Sequence, residues 1–276
     1  MPQQAIVRSA LFVPASRAER IPKALASGAD AVIVDFEDAV EPSAKPAARQ
    51  ALVEFLDANP DARVWVRVND ATTIWHEDDL AALRGKPGVT AIMLPKAESA
   101  AQVAHAGQGR PVVPIIETAR GMVQIADVAA GPGVDRLAFG SLDYGVDLAF
   151  TPGTEAVDAL LDQARGLVLL HSRAAGLAAP MDGVYPDIND AQGLRAAAER
   201  ACHMGFSGML CIHPSQIGAV HAAFMPTQAD IDWSQRVLAA QRESGAGAFR
   251  FEGKMVDAPV LARARQVLVR AGIAAA

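Results

Sequence analysis

Cysteine is scarce in this sequence, and positive charge does not exceed negative charge. The only two cysteines among 276 residues, Cys202 and Cys211, form no CxxC pair and no recognisable zinc-ligand spacing, so both are expected to be buried small hydrophobic residues. The formal net charge of -6 leaves no electrostatic footprint for nucleic acid or an anionic membrane. Neither is therefore expected as a partner, and any bound anion must be held by local groups.

The sequence also lacks the segments and motifs of several other classes. No apolar run approaches the length of a membrane span, and the amino terminus, Met-Pro-Gln-Gln-Ala-Ile-Val-Arg, has neither the charged start nor the apolar core of a signal peptide. The six histidines show no HExxH or catalytic-triad context, which argues against a serine or cysteine hydrolase. With 51% apolar and 20% charged residues, a globular cytoplasmic enzyme is expected.

Short apolar runs rich in β-branched residues alternate with alanine-rich helical patterns along the chain. The eight strand candidates are Ser9–Ala15, Ala31–Asp38, Arg63–Asp70, Ala91–Lys96, Pro111–Thr118, Arg136–Asp143, Ala179–Val184 and Gly208–Pro214. The helix candidates between and after them are Arg17–Ser27, Lys45–Ala58, His76–Leu83, Ala100–His105, Met122–Ala130, Thr154–Ala175, Asp190–Met204 and Ser215–Phe224. This order predicts parallel strands joined by right-handed crossovers.

Eight such units predict an α/β fold, a (β/α)8 TIM barrel with a C-terminal helical arm. An open doubly wound sheet is the alternative, but no GxGxxG follows the first strand candidate. The barrel is assigned to residues 1–226 and the arm to residues 227–276. The arm reads as helix Gln228–Ser244, an extended or hairpin piece Ala248–Val256 and helix Pro259–Ala271, and such an appendage caps the barrel, mediates assembly, or does both.

Charged side chains end nearly every strand candidate, where a parallel barrel forms its active face. Glu117 and Asp143 end candidates five and six, and neighbouring strands lie about 4.8 Å apart, so the two carboxylates are expected close together. Either one of them takes up a proton or a cation neutralises both, and Mg²⁺ prefers such oxygen ligands. In the structural alternative, Glu117 pairs with Arg120 and Asp143 caps the following loop.

The second strand candidate ends in three carboxylates, those of Asp35, Glu37 and Asp38. Alternation places Asp35 and Glu37 on one face and Asp38 on the other, so the three are not expected to share one role. They could accept hydrogen bonds from metal-bound water and orient Arg67, which is costly to bury unpaired and suited to grip an enolate or carboxylate oxygen. In the alternative they form an ion-pair network with Lys45, Arg49 or Arg67.

Two further cationic positions have open interpretations. Lys96 ends the fourth strand candidate, where a Schiff-base aldolase would carry its nucleophile, and a solvated or phosphate-facing lysine is the alternative. Ser16 and Arg17 place a hydroxyl and a cation at the start of the first helix candidate, which suits a phosphate group. A plain N-cap by Ser16 is equally consistent with the pattern.

Seven segments beside the strand ends carry a family resemblance. They are Arg8-Ser9…Leu11-Phe12-Val13-Pro14, Asp35-Phe36-Glu37-Asp38-Ala39-Val40 with Lys45 and Arg49, Val66-Arg67-Val68-Asn69, Leu94-Pro95-Lys96, Ile116-Glu117-Thr118, Phe139-Gly140…Asp143 and Ile212-His213-Pro214-Ser215-Gln216-Ile217. In this order they resemble the citrate lyase β-subunit-like family of the HpcH/HpaI aldolase superfamily, from about residue 8 to 272. Ala15 stands where the family often has Gly, and Phe36 where it often has Leu. The run from Ser16 to Arg20 is more similar to stand-alone members acting on free acyl-CoA thioesters than to citrate lyase complex subunits.

The resemblance implies a Mg²⁺-dependent barrel in which Glu117 and Asp143 ligate the metal and Arg67 contacts the substrate. It implies a homo-oligomer, a trimer or a hexamer, in which the segment Gly253–Pro259 closes over a neighbouring subunit's site. That segment would bring Asp257 as an acid/base candidate, whereas the residues alone make Asp257 a helix N-cap. The residues then expected to contact an acyl-CoA thioester substrate are Arg67, Arg17, Lys96 and Ser16.

The expected reaction is reversible cleavage of a 3-hydroxyacyl-CoA of the malyl-CoA or citramalyl-CoA type to acetyl-CoA and a 2-oxoacid. Mg²⁺ would chelate the 2-hydroxyacid end, and Arg67 would stabilise the enolate. Asp257 is the first candidate for the base, and a metal-linked water held by Asp35 or Glu37 is the second. The alternatives are a malyl-CoA thioesterase at the same site, a Schiff-base aldolase acting through Lys96, and a non-catalytic barrel that binds acyl-CoA.

Overall fold

Eight parallel strands close into a barrel in the first of two compact units, Met1–Ala223 and Phe224–Ala276. The structure is a computed structural model that describes residues 6–245 and 247–274. The barrel strands are β1 (Ser9–Pro14), β2 (Ala31–Asp35), β3 (Val64–Arg67), β4 (Val89–Leu94), β5 (Val112–Ile116), β6 (Ala138–Phe139), β7 (Met181–Asp182) and β8 (Gly208–Cys211). They pair in chain order and β8 pairs with β1, so the predicted (β/α)8 TIM barrel is confirmed.

Helices cover the outside of the barrel between successive strands. They are α1 (Ile21–Leu25), α2 (Lys45–Ala58), α3 (His76–Leu83), α4 (Ala100–Gly107), α5 (Ala119–Val123), α6 (Ile125–Ala129), α7 (Ser141–Asp147), α8 (Glu155–Ala174), α9 (Ala191–Met204) and α10 (Gln216–Phe224). Thr154 and Asp190 cap α8 and α9 by accepting hydrogen bonds from the amides of Val157 and Gly193. Among the described residues, no helix is both long and apolar enough to cross a membrane.

The two-residue period of the strands determines which side chains reach the barrel mouth. Ile33 and Ile115 belong to the cluster that fills the barrel interior. The next residues on the same side of each chain, two positions later, are Asp35 and Glu117. The inward-facing rows therefore change from apolar to acidic where β2 and β5 reach the carboxyl end of the barrel.

The sixth unit differs from the sequence prediction. The strand candidate Arg136–Asp143 is a strand only at Ala138–Phe139, and α7 begins at Ser141. The backbone turns at Gly140 (φ −101°, ψ 80°), and the amide of Tyr144 donates to the Gly140 carbonyl at 3.0 Å. Asp143 therefore lies in the first turn of a helix rather than at a strand end, a correction to the prediction.

Two predicted helices also have different forms. In place of one helix over Arg17–Ser27, a 3-10 helix at Ala15–Arg20 precedes α1, and its N-cap residue is Pro14 rather than Ser16. The predicted helix Met122–Ala130 is divided into α5 and α6 at Gln124. Both differences are local breaks in helical backbone, at Arg17 and Gln124, for which apolar periodicity carries little information.

The second unit contains a helix, a hairpin and another helix. They are α11 (Gln228–Ser244), β9 (Phe249–Phe251), β10 (Lys254–Val256) and α12 (Ala258–Arg270). β9 and β10 pair antiparallel, and the unit has its own apolar cluster, including Val237, Leu238, Val256, Leu261 and Ala264. The bounds of α11 are the predicted ones, and the predicted extended piece is a hairpin.

Candidate active site

Arg67 and Asp35 form a two-pronged ion pair at the carboxyl ends of neighbouring strands. The two residues are paired in the register of β2 and β3. Arg67 donates from Nε to Asp35 Oδ1 at 2.7 Å and from Nη2 to Asp35 Oδ2 at 2.8 Å. The guanidinium also lies over the ring of Phe12, 4.8 Å from its centroid. This arrangement fixes the guanidinium in one plane and orientation.

The other two carboxylates of this segment also reach Arg67. Nη1 lies 2.9 Å from Glu37 Oε2 and 3.2 Å from Asp38 Oδ2. Burial would lower the pKa of Arg67, but Asp35, Glu37 and Asp38 more than offset this effect and raise it. The expectation that alternation separates Asp38 from the others is wrong, because β2 ends at Asp35 and the chain then turns.

The other basic residues considered for this cluster make different contacts. Lys45 is buried and donates to the carbonyls of Phe36 and Glu37 at 2.8 and 2.9 Å. Arg49 pairs with Asp78 and Asp79 on α3, at 3.1 and 2.9 Å. Of the three cations proposed for the ion-pair network, Arg67 is therefore the one that pairs with Asp35, Glu37 and Asp38.

Lys96 lies between the carboxylates that contact Arg67 and the two metal-ligand candidates, Glu117 and Asp143. Its Nζ lies 2.8 Å from Glu37 Oε1 and 3.8 Å from Asp143 Oδ1. Its backbone is left-handed (φ 47°), a conformation that non-glycine residues rarely adopt outside functional sites and turns. Burial lowers the pKa of Lys96, but Glu37, Glu117 and Asp143 together raise it above its ordinary value. A lysine held in its charged form is a poor Schiff-base nucleophile.

Glu117 is buried at the end of β5, with 3% of its surface exposed. Its Oε1 accepts a hydrogen bond from the Lys96 amide at 2.8 Å. The register pairs Ile116 with Phe139, so Glu117 lies beside Gly140, where a Cβ atom would be 2.2 Å from Glu117 Oε2. Arg120 pairs with Glu98 at 3.5 Å and not with Glu117, which contradicts the structural alternative for Glu117.

The charges around Glu117 fit a hard divalent cation. Burial, followed by the charges of Glu37 and Asp143, raises the pKa of Glu117 to about 8. Asp143, with 41% of its side chain exposed, supplies a second carboxylate 3.8 Å from Lys96 Nζ. Buried carboxylates whose ionisation is opposed by their neighbours are stabilised by a bound cation, and oxygen donors of this kind suit Mg²⁺.

Comparison with known proteins shows the family of this chain. The chain matches the family described as HpcH/HpaI aldolase/citrate lyase over residues 8–214. It belongs to this family. A citrate lyase subunit beta-like protein of Mycobacterium tuberculosis is 44% identical over 265 residues, 95% of this chain and 94% of the relative. The predicted resemblance to the citrate lyase β-subunit-like group of the HpcH/HpaI family is thus confirmed.

Two further relatives of this chain have different names. A (3S)-malyl-CoA thioesterase of Cereibacter sphaeroides is 38% identical over 280 residues, 98% of this chain and 96% of the relative. The crystal structure of M. tuberculosis CitE in complex with magnesium, acetoacetate and coenzyme A has a TM-score of 0.86 at 42% identity, over 97% of this chain and 99% of that chain.

The remaining predicted site residues are Ser16, Arg17 and Asp257. Ser16 is exposed, and Arg17 Nε donates to Glu19 Oε1 at 2.8 Å with about half of the Arg17 side chain exposed. Asp257 belongs to the second unit, where its Oδ1 accepts from the Val260 amide at 3.4 Å and caps α12. The predicted N-cap is therefore observed, and a role of Asp257 in a neighbouring subunit stays a prediction.

One buried carboxylate at the carboxyl end of the barrel, that of Asp182, was not among the predicted site residues. Asp182 ends β7 and pairs with Arg165 of α8, Nε to Oδ2, at 2.9 Å. Burial raises the pKa of Asp182 although Arg165 opposes that effect. A mainly apolar cleft of about 1050 Å³ lies here between α8 and α9, and its lining also includes Ser141 and Leu142 of α7. The signal was present, because Asp182 ends a strand as Glu117 does.

A serine, a histidine and an aspartate also meet at the opposite end of the barrel. Ser9 Oγ lies 2.7 Å from His221 Nε2, and Asp30 Oδ2 lies 3.2 Å from the same nitrogen. In a catalytic triad the serine and the aspartate contact different ring nitrogens. Ser9 and Asp30 also lie at the amino ends of β1 and β2, the face of this fold that serves stability.

Proposed function

We propose that this protein is a Mg²⁺-dependent carbon–carbon lyase that cleaves a 3-hydroxyacyl-CoA of the malyl-CoA or citramalyl-CoA type to acetyl-CoA and a 2-oxoacid. The observation that carries the proposal is the convergence of Glu117 and Asp143 on Lys96, beside the oriented Arg67–Asp35 pair. The CitE complex, with its magnesium and coenzyme A, supports the proposal because these are the ligands that the reaction requires.

Glu117 and Asp143 are the residues that would hold the metal. When bound, Mg²⁺ supplies a Lewis acid for the hydroxyl and carboxylate oxygens of the substrate. The Lys96 amide holds Glu117 Oε1 at 2.8 Å, and Gly140 leaves room for Glu117 Oε2. Lys96 also places a positive charge between Glu37 and Asp143, which limits the repulsion among the carboxylates.

Arg67 has the position of the group that stabilises the leaving fragment. In the cleavage, a base takes the hydroxyl proton, and the hydroxyl carbon becomes the carbonyl of the 2-oxoacid. The electron pair of the broken carbon–carbon bond moves onto the thioester as an enolate, which then takes up a proton at carbon to give acetyl-CoA. Asp35 accepts from Nε and from one Nη2 hydrogen of Arg67, and Nη1 faces Glu37 and Asp38. Of the five N–H donors of the guanidinium, the second Nη2 hydrogen therefore remains for the enolate oxygen.

Asp257 is the proposed base, supplied by the arm of a neighbouring subunit in a homo-oligomer. Asp35 and Glu37 are less suited to that role, because their carboxylates already contact Arg67 and Lys96. We therefore assign them as positioning residues. Ser16, Arg17 and Lys96 stay the proposed contacts for the acyl-CoA thioester, and the exposure of Ser16 and Arg17 suits a phosphate-bearing ligand.

A thioesterase is the second candidate, favoured by the relative named (3S)-malyl-CoA thioesterase. In that reaction water attacks the thioester carbonyl, the carbon–sulfur bond breaks, and free CoA leaves with the acyl acid intact. The same metal ligands and the same arginine would serve, because negative charge again develops on the thioester oxygen. The residues of the site therefore favour neither reaction over the other.

Product analysis separates the two reactions. The purified protein is incubated with malyl-CoA and citramalyl-CoA in Mg²⁺ and in EDTA, and every product is identified by mass spectrometry. The lyase proposal predicts acetyl-CoA with glyoxylate or pyruvate, formed only with Mg²⁺. Free CoA with intact malate or citramalate would instead identify a thioesterase, and binding without any turnover would identify a non-catalytic acyl-CoA-binding barrel.

A further inference from the structure

Two histidines and a glutamate meet on the outside of the barrel, on α3 and α4. His76 and Glu77 begin α3, and His105 lies in the last turn of α4, 28 residues after Glu77. One ligand atom from each of the three side chains lies within 4.8 Å of those of the other two. Imidazole nitrogen and carboxylate oxygen are ligands of Zn²⁺ and other first-row transition metals.

His76 is prepared for ligation by its surroundings. Its Nδ1 lies 2.7 Å from the carbonyl oxygen of Asn69. Because a carbonyl oxygen only accepts, Nδ1 carries the proton and Nε2 of the neutral ring presents a lone pair. His76 is only 2% exposed, and no hydrogen-bond partner for Nε2 lies among the described residues. A ring nitrogen bonded to a backbone carbonyl is the usual support of a metal-bound histidine.

Asn69 fixes the position of that carbonyl. Its amide and its side-chain Nδ2 donate to Asp79 Oδ2 at 2.8 and 2.6 Å. Asp79 in turn accepts from Arg49 at 2.9 Å. The support of His76 is therefore a chain of buried and partly buried hydrogen bonds that leads from Arg49 on α2 to Asn69 just after β3, and none of its members is an exposed side chain.

The other two members of the cluster, His105 and Glu77, are exposed to solvent. His105 Nε2 lies 2.6 Å from Glu77 Oε1, and the two side chains are 54% and 67% exposed. The rings of His76 and His105 are stacked at 30°, with centroids 5.9 Å apart. A four-coordinate metal can use one buried ligand and two exposed ones, with a water molecule as the fourth.

We propose that His76, Glu77 and His105 form a transition-metal site, best suited to Zn²⁺, on the outer face of the barrel. The metal would replace the hydrogen bond between His105 and Glu77, whose proton would leave to solvent, and would bind His76 Nε2. This site differs in chemistry from the all-oxygen set of Glu117 and Asp143, because imidazole ligands favour Zn²⁺ over Mg²⁺. It rests on none of the residues assigned to the proposed reaction.

Zinc titration calorimetry in excess Mg²⁺ tests the proposal. Wild-type protein and the Glu117→Gln variant are both expected to bind one equivalent of Zn²⁺, since Glu117→Gln removes the competing oxygen site. His105→Gln and Glu77→Gln are each expected to weaken Zn²⁺ binding by at least about tenfold. Loss of a residue that only supports a metal ligand already has an effect of that size. These two variants replace exposed side chains, so they leave the buried hydrogen bonds of His76 in place.

A matched variant and a second metal complete the experiment. His203→Gln replaces an exposed histidine in the last turn of α9 and is expected to bind Zn²⁺ as the wild type does. Co²⁺ bound in the wild type should show the visible absorption of a four- or five-coordinate ion, and this band should be lost in His105→Gln. Absence of a Zn²⁺ equivalent in the wild type, or equal affinity in His105→Gln and Glu77→Gln, would overturn the proposal.

Discussion

At the scale of single residues, two arginines make the same kind of ion pair at opposite ends of the barrel. Arg67 pairs with Asp35 through Nε and Nη2, and Arg8 pairs with Asp30 through the same two nitrogens. Arg67 follows the apolar part of β3 at the carboxyl end, whereas Arg8 precedes β1. Comparing the two ion pairs therefore separates the effect of the ion-pair geometry from the effect of its location in the barrel.

Replacing Arg67 by lysine should reduce turnover strongly. A lysine keeps the charge but cannot form the bidentate pair, so the cation would no longer be oriented. We expect Arg67→Lys to lower kcat by about 10²- to 10³-fold, the usual effect of losing one preorganised donor. The measurement is steady-state kinetics with the thioester that turns over. Arg8→Lys is the matched control and should leave kcat unchanged; an equal loss in both variants would contradict the role given to Arg67.

The two cysteine thiols should be inert in the folded protein. Both Cys202 and Cys211 are buried, as predicted, and burial raises the pKa of the Cys211 thiol to about 12. Since the thiolate is the reactive form, iodoacetamide at pH 8 should modify neither residue in native protein and both in denaturant. Mass spectrometry of the intact protein counts the adducts, and rapid native modification of Cys211 would contradict its burial.

At the scale of elements, the turn between β6 and α7 depends on a glycine that contacts Glu117. A Cβ atom at Gly140 would lie 2.2 Å from Glu117 Oε2 and 2.6 Å from Glu117 Cβ. Gly166, in the middle of α8, is a contrasting case, because a Cβ there meets nothing within 4 Å. The two glycines should therefore respond to alanine in opposite directions.

Alanine substitutions test this difference. Gly140→Ala should lower the free energy of unfolding by about 1–3 kcal/mol, as overpacked sites do, and should weaken Mg²⁺ binding because Glu117 must move. Gly166→Ala should raise the free energy of unfolding by about 1 kcal/mol, since alanine favours a helix interior over glycine. Urea denaturation measures both. A neutral Gly140→Ala would mean that Glu117 does not occupy the position observed beside Gly140.

The number and order of the barrel strands could be predicted from the sequence, because most of these strands are buried on both faces and read as apolar runs. In β5, both the inward Val113 and the outward Val112 are fully buried. The end of β6 could not be predicted in the same way. The apolar pattern continues through Leu142, which is exposed on α7, and periodicity does not distinguish a buried strand from the helix that follows it.

The candidate site was predictable where it depends on strand ends and not where it depends on turns. The period of two places Asp35 and Glu117 in the barrel mouth. The same period wrongly placed Glu37 and Asp38 on opposite faces of the strand, because both residues follow the end of β2. The left-handed backbone of Lys96 and the meeting of His76 with His105 depend on tertiary packing, which no local pattern records.

At the scale of the whole molecule, Asp257 is the residue whose proposed role requires a second subunit. It caps α12 in the second unit of the chain. Asparagine caps helices as well as aspartate does but cannot accept a proton as a base. Asp257→Asn should therefore keep the stability of the wild type in urea denaturation and lose turnover, whereas unchanged turnover would leave Asp257 as a cap only.

Mixing two inactive variants tests whether Asp257 acts between subunits. In a ring of subunits, a site would combine the Glu117 of one chain with the Asp257 of the next. Random equimolar assembly of Asp257→Asn with Glu117→Gln should then restore about a quarter of the wild-type sites. Activity is measured after the variants are unfolded and refolded together, with each variant refolded alone as the control. No recovery in assembled oligomers would contradict action between subunits.

The central claim is that Glu117 and Asp143 hold a divalent cation at the barrel mouth, and Mg²⁺ titration calorimetry tests it most directly. The wild type and Glu155→Gln, which replaces an exposed acid in the first turn of α8, should bind one Mg²⁺ with equal affinity. Glu117→Gln and Asp143→Asn should each bind at least about tenfold more weakly. Unchanged Mg²⁺ affinity in both of these variants would contradict the claim.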